Sequence, residues 1–138
     1  MADDRMCFAC GPDNPHGLHL SFDYGDGEVT TRHTFDGRYQ GYSGVVHGGL
    51  VSTVLDETMV TLLNRMGLLA MTAELTVRYS SPVPVGEEVT VTARLVRSRR
   101  RVHEVEAEAT LPDGEVAATA RGRFMSLGPL HDEAPSTG

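Results

Sequence analysis

Val46-His47-Gly48-Gly49-Leu50-Val51-Ser52-Thr53-Val54-Leu55-Asp56-Glu57-Thr58-Met59-Val60-Thr61-Leu62-Leu63-Asn64-Arg65-Met66-Gly67 is the stretch from which the fold can be read. Leu50, Val51, Val54, Leu55, Thr58, Leu62 and Met66 recur at helical spacing until Gly67 stops the run. No other segment supports a long helix. Gly48 and Gly49 set unhindered backbone amides at its start, where the first N–H groups lack intrahelical acceptors and partial positive charge collects. Asp56 and Glu57 fall in its third turn. Amides that can receive a developing oxyanion, with a carboxylate near in sequence, point to chemistry on a carbonyl.

Outward from the helix the period drops to two. Before it, Leu18, Leu20, Phe22 and Tyr24 alternate with polar residues, and Gly25-Asp26-Gly27 turns the chain into a second strand, Val29 to Phe35. A loop rich in Gly and Tyr then covers about Asp36 to Val46. After the helix, Met71, Ala73, Leu75, Val77 and Tyr79 read as one strand face, followed by Val89 to Leu95, Val105 to Leu111 and a last strand with Val116, Ala118, Ala120 and Phe124. Pro82-Val83-Pro84-Val85-Gly86, Arg97 to Arg101 and Pro112-Asp113-Gly114 supply the turns. The expected organisation is an N-terminal loop segment at 1–17, one domain at 18–126, and a flexible tail at 127–138.

With 138 residues a single domain is the natural size, and 12 Lys plus Arg against 19 Asp plus Glu give a net charge of −7. That balance argues against nucleic acid as a partner. No stretch approaches the roughly 18 apolar residues of a membrane span, and the N-terminus lacks a basic region followed by an apolar run, so the expectation is a soluble, cytoplasmic chain. Cys7 and Cys10 with His16 and His19 spell C-x2-C-x5-H-x2-H, too compressed for a usual zinc finger. The intervening Gly and Pro residues read as consecutive turns, and no strand-to-helix context suits a redox pair. Two reduced thiols in a loop, with no metal, are expected.

Two strands, a long helix and four strands leave one helix to be covered by one curved antiparallel sheet, an α+β arrangement that resembles the hot-dog fold, with five to six strands around a central helix. The resemblance sharpens at Cys7-Phe8-Ala9-Cys10-Gly11, Asn14-Pro15-His16-Gly17-Leu18, His47-Gly48-Gly49, Asp56 nine residues after His47, and Met71-Thr72-Ala73-Glu74-Leu75 running to Pro82-Val83-Pro84. These look like hot-dog acyl-CoA thioesterases of the phenylacetate-pathway and 4-hydroxybenzoyl-CoA thioesterase type, over about Cys7 to Ser126. The resemblance implies hydrolysis of a thioester to a carboxylic acid and free coenzyme A, with no cofactor beyond the coenzyme A of the substrate. It also implies sites at the interface of a homodimer, often a dimer of dimers, with Asp56 as the catalytic carboxylate and the Thr72 hydroxyl holding the water or the carboxylate. Relatives often place Asn or Gln about six residues before the His; here Gly41 stands there, with Gln40 adjacent.

Physical reasoning adds roles. Gly48 offers the oxyanion amide, and His47 orients substrate or buttresses the turn. Asp56 lies eight residues beyond Gly48, roughly 12 Å along the axis, so the two cannot serve one carbonyl from one helix. Two helices antiparallel across a two-fold axis would bring Asp56 of one chain to Gly48 of the other. Burial of Asp56 would raise its pKa toward that of a useful base, whereas Glu57, turned about 100° away, reads as a solvated or salt-bridged neighbour. Gly49, Gln40, Met59, Val60 and Leu63 are candidates to contact substrate. Arg99, Arg100 and Arg101, in the one dense basic run, could meet the nucleotide phosphates. A non-catalytic acyl-CoA-binding protein and a hot-dog enoyl-CoA hydratase are the alternatives. The first would ordinarily carry a second element for which 138 residues leave no room, and the second needs a different Asp and His pairing.

Overall fold

The protein, as a computed structural model, is described over residues 3–130. Its elements are β1 (Asp23–Gly25), β2 (Glu28–Thr34), a 3-10 turn (Gly37–Tyr39), α1 (Gly48–Arg65), β3 (Leu68–Tyr79), β4 (Glu88–Arg99), β5 (Val102–Thr110) and β6 (Val116–Pro129). The strands form one antiparallel sheet in the order β1-β2-β4-β5-β6-β3. This is the hot-dog arrangement, one sheet around one helix. The long strand β3 lies at one edge.

α1 begins where His47, in extended backbone, caps it and ends where Gly67 takes a positive φ and donates to the carbonyl of Asn64 at 2.9 Å. It buries Val51, Val54, Leu55, Thr58, Met59, Leu62 and Leu63. The mid-helix hydroxyl of Thr58 would be costly there unpartnered, and it donates to the carbonyl of Val54 at 2.6 Å. Against the helix the sheet presents small side chains: Ala93, Ala107, Ala109, Ala118 and Ala120 are all buried. Their size lets the helix sit close, and the larger Phe124, Val105, Val91 and Val89 fill the space around it.

The alternation read in β4 and β5 matches the buried faces, but three local readings need correction. Leu18 and Leu20 are buried, yet the chain from Leu18 to Phe22 does not join the ladder. His19 takes a positive φ, and the amides of Leu18 and Leu20 donate to Phe8 and Ala9 of the N-terminal segment instead. In β3 the five residues from Met71 to Tyr79 do not share a face. Thr72 opposes Phe124 while Glu74 opposes Arg123, so Ala73 is an extra residue, a bulge that switches sides. Met71 is consequently half exposed while Leu75 and Val77 pack against the core. A second irregularity beside Thr110 turns Val116 outward, although the sequence placed it with Ala118. The β6 ladder continues beyond Ser126 to Pro129, and residues 131–138 of the expected tail lie outside those described.

Gly122 lies on the buried face of β6. A Cβ there would come 2.4 Å from the Phe124 ring and 3.4 Å from the Met59 methyl, in a region where neither has room to retreat. Gly122→Ala is therefore expected to lower unfolding free energy by about 1–3 kcal/mol through overpacking. Urea denaturation checks this, and an unchanged midpoint would contradict the packing described.

Candidate active site

The start of α1 forms one wall of a cleft of about 610 Å³, closed on the other sides by Gly41, Tyr79, Val83 and Ala118. His47 Nδ1 accepts a hydrogen bond from the Gly49 amide at 3.0 Å, so in the neutral ring the proton resides on Nε2. The Gly49 amide is therefore occupied. The Gly48 amide, one residue earlier, has no acceptor among the described residues and lines the cleft. Of the two glycines, Gly48 is the one free to meet a ligand oxygen.

Tyr79, at the far end of β3, fixes this turn. Its hydroxyl donates to the carbonyl of Gly48 at 2.7 Å and meets the Ser52 hydroxyl one turn on. The ring lies against the Gly48 Cα, where an added Cβ would be in ordinary contact at 3.5 Å. Neither Tyr79 nor Ser52 was singled out from the sequence. Their contacts join positions 27 and 31 residues apart, which no local pattern reveals. The Pro82-Val83-Pro84 segment braces the other side, with the amide of Val46 donating to Val83 at 2.9 Å.

Asp56 and Thr72 are brought together. The Thr72 hydroxyl donates to Asp56 Oδ1 at 2.7 Å. The Ala73 bulge allows this, because it puts Thr72 on the same side of the strand as Leu75 and Val77. Burial raises the pKa of Asp56, and the Thr72 hydrogen bond pulls the other way without cancelling it. Neither residue lines the cleft beside Gly48. Eight helical residues, roughly 12 Å, still separate the Gly48 amide from Asp56 within one chain.

Other candidates fall elsewhere. Met59 and Leu63 have no exposed surface and belong to the core, because their positions face the sheet. Val60 is half-buried against that core. Gln40 is exposed and uses its Oε1 to accept from the Gly44 amide at 3.1 Å, shaping the loop, while its neighbour Gly41 lines the cleft. Arg99, Arg100 and Arg101 sit at the β4–β5 hairpin. Arg99 pairs with Val102, Val102 with Met125, and Met125 with Met71. Met71 is eight residues from Tyr79, so the hairpin lies roughly 26 Å along the strands from the cleft of its own chain. Glu57 is half-buried and has no salt bridge among the described residues: it accepts from Cys10 Sγ at 3.1 Å, and burial raises its pKa. The Cys10 thiol is pushed well above its usual range, first by burial and then by the Glu57 charge.

The chain belongs to the Thioesterase superfamily, whose family model matches residues 43–118. The mouse acyl-coenzyme A thioesterase THEM4 is 32% identical over 116 residues, 82% of this chain and 50% of that protein. The chain thus spans about half the length of that curated relative. Among solved structures, the thioesterase superfamily protein RHA08564 superposes with a TM-score of 0.82 at 30% identity, over 88% of this chain and 60% of that one. A Streptococcus mutans protein, smu.793, solved bound to acetyl CoA, shares the fold at a TM-score of 0.77 and 19% identity, over 81% and 91% of the two chains. No helix among the described residues is long and apolar enough to cross a membrane.

Because its folded pKa is raised, Asp56 binds a proton more tightly in the folded chain than in the unfolded one. The stability this provides is complete below the ordinary Asp pKa of about 3.9 and is lost as pH rises through the raised value. Asp56→Asn keeps an acceptor for Thr72 and removes the buried charge. It is expected to melt above the wild type at pH 7, with the gap closing in acid. A lower melting temperature at pH 7 would contradict a destabilised charge at this position.

Proposed function

We propose that the protein is an acyl-CoA thioesterase, releasing a carboxylic acid and free coenzyme A at a site shared between two copies of the chain. The single observation that carries this is the division of parts: a Gly48 amide at a cleft with no partner among the described residues, and Asp56, held by Thr72 of β3, too far along α1 to reach it. Membership of the Thioesterase superfamily and the likeness to THEM4 support the reaction class. The acetyl CoA bound by the S. mutans neighbour supports the ligand class.

In this reading the thioester carbonyl lies against the Gly48 amide, which stabilises its oxygen as charge develops, while the helix terminus adds its partial positive charge. Asp56 of a second copy approaches the carbonyl carbon, as a base that activates water or as a nucleophile, and Thr72 of that copy keeps its carboxylate oriented. His47 Nε2–H is a donor for the substrate. The edge strand β3, with no partner on its outer side among the described residues, is where two copies would meet. Antiparallel copies would also carry Arg99, Arg100 and Arg101 from the far end of one chain toward the cleft of the other, where phosphates of coenzyme A could bind. A homodimer, or two such dimers paired, is the assembly this requires, acting without cofactor or metal in the hydrolytic step.

Thiol release from a panel of acyl-CoAs tests the reaction. The wild type should liberate free coenzyme A, and Asp56→Ala should lose at least about a hundredfold in kcat/KM, the scale of removing a general base. Acyl-CoA binding without thiol release would instead identify a non-catalytic binder, and hydration of an enoyl-CoA would identify a hydratase. The rate should fall with decreasing pH as Asp56 takes up its proton, with the acid limb above the ordinary Asp range. Thr72→Val should lower kcat while leaving KM near its original value.

A further inference from the structure

Cys7, Cys10 and Glu57 take no part in the reaction proposed above, yet the fold converges them. The two sulfurs and a Glu57 carboxylate oxygen all lie within 4.8 Å of one another, and all three residues are half-buried. The loop that carries the thiols is built for this. The amide of Gly11 closes onto the Cys7 carbonyl at 2.8 Å and that of Asp13 onto Arg5 at 3.0 Å. Residue 11 must be glycine, since a Cβ would stand 2.3 Å from the Cys7 nitrogen and 2.6 Å from the Arg5 carbonyl oxygen. Ala9 is buried in the core, and hydrogen bonds from Leu18 and Leu20 to Phe8 and Ala9 lock the loop in place. The thiols therefore stand on a fixed scaffold facing the third turn of α1.

Among the described residues no basic side chain faces the cluster. Glu57 has no basic partner among the described residues, and the charged groups acting on it are Asp56 and Asp3, both acidic. Two thiols and a carboxylate, gathered where negative charge accumulates, form the donor set of a borderline-soft divalent ion.

We propose that Cys7, Cys10 and Glu57 bind one zinc ion through two thiolates and one carboxylate oxygen, with water in the fourth position. Zn–S bonds of about 2.3 Å and a Zn–O bond of about 2.1 Å in a tetrahedron require sulfurs about 3.8 Å apart and each about 3.6 Å from the oxygen. Both separations fit inside the 4.8 Å envelope, and the Cys10–Glu57 contact of 3.1 Å need open only slightly. The donors differ from those the spacing first offered. His16 and His19 are exposed and outside the cluster, and His19 Nε2 lies 2.6 Å from the Asn14 carbonyl oxygen. Glu57 faces about 100° away from Asp56 on the helix, so the ion ties the N-terminal segment to α1 and does not sit at the thioester. It is a clasp with one exchangeable position, open to chelators.

The test uses the full chain, stripped of metal and kept reduced without oxygen, titrated with Co²⁺ as a spectroscopic probe and then with Zn²⁺. A thiolate-to-cobalt charge-transfer band should saturate at one equivalent per chain and be bleached by zinc. Cys7→Ser and Cys10→Ser should each weaken that band, and Glu57→Gln should keep it while lowering zinc affinity at least about tenfold, the least that loss of even a supporting group costs. The double variant His16→Gln, His19→Gln should bind as the wild type does. The absence of a saturable band in the reduced wild type overturns the proposal whatever the variants do. So does zinc affinity unchanged by loss of both cysteines, or lost with the two histidines.

Discussion

The burial of one 18-residue helix by one sheet is the constraint from which the rest of the structure follows. A sheet can wrap a helix only if its inner face is small where the helix comes nearest and large where it recedes. The alanines of β4, β5 and β6 and Gly122 meet the first demand, and Phe124 with the valines meets the second. The same wrapping leaves a sheet with two ends. One is the three-residue β1, and the other is the twelve-residue β3, whose outer edge has no strand partner among the described residues.

The candidate site grows out of that geometry. The helix start reaches the cleft because the loop before it is pinned by Gln40 and by the Val83 bridge, and Tyr79 holds the first turn from the end of β3. Two turns on, Asp56 meets Thr72 at the other end of the same strand, and only the Ala73 bulge turns that hydroxyl inward. One strand thus holds the Gly48 turn through Tyr79 and Asp56 through Thr72 while keeping the two apart. Separation by helical rise and an open strand edge are the two features that the proposed second copy of the chain would resolve together.

Much of this was legible in the sequence because it is local. Periodicity gave the helix and its stop at Gly67, and the inner faces of β4 and β5. His47-Gly48-Gly49 and Asp56 stood out because capping and spacing are properties of neighbouring residues. What escaped depends on single insertions or distant contacts. One extra residue at Ala73 reverses a strand face without altering composition, and alternation from Leu18 to Phe22 reports burial but not whether a ladder forms. Met59 and Leu63 lie near Asp56 on the helix, yet a few tens of degrees decide between core and substrate. The approach of Cys10 to Glu57 spans 47 residues, so local spacing set Cys10 beside histidines and Glu57 beside solvent and did not join the two.

The proposed shared site is tested most directly by mixing two variants that each lose one of its parts. Gly48→Pro removes the amide proposed to meet the oxyanion, at the first helical position where proline is tolerated, and Asp56→Ala removes the proposed catalytic carboxylate. In a dimer of one copy of each, one site regains both groups while the other loses both. Equal mixing with free exchange should therefore restore about one quarter of wild-type thiol release, since half the dimers are mixed and each has one intact site of two. No recovery after verified subunit exchange would contradict a site assembled from two chains.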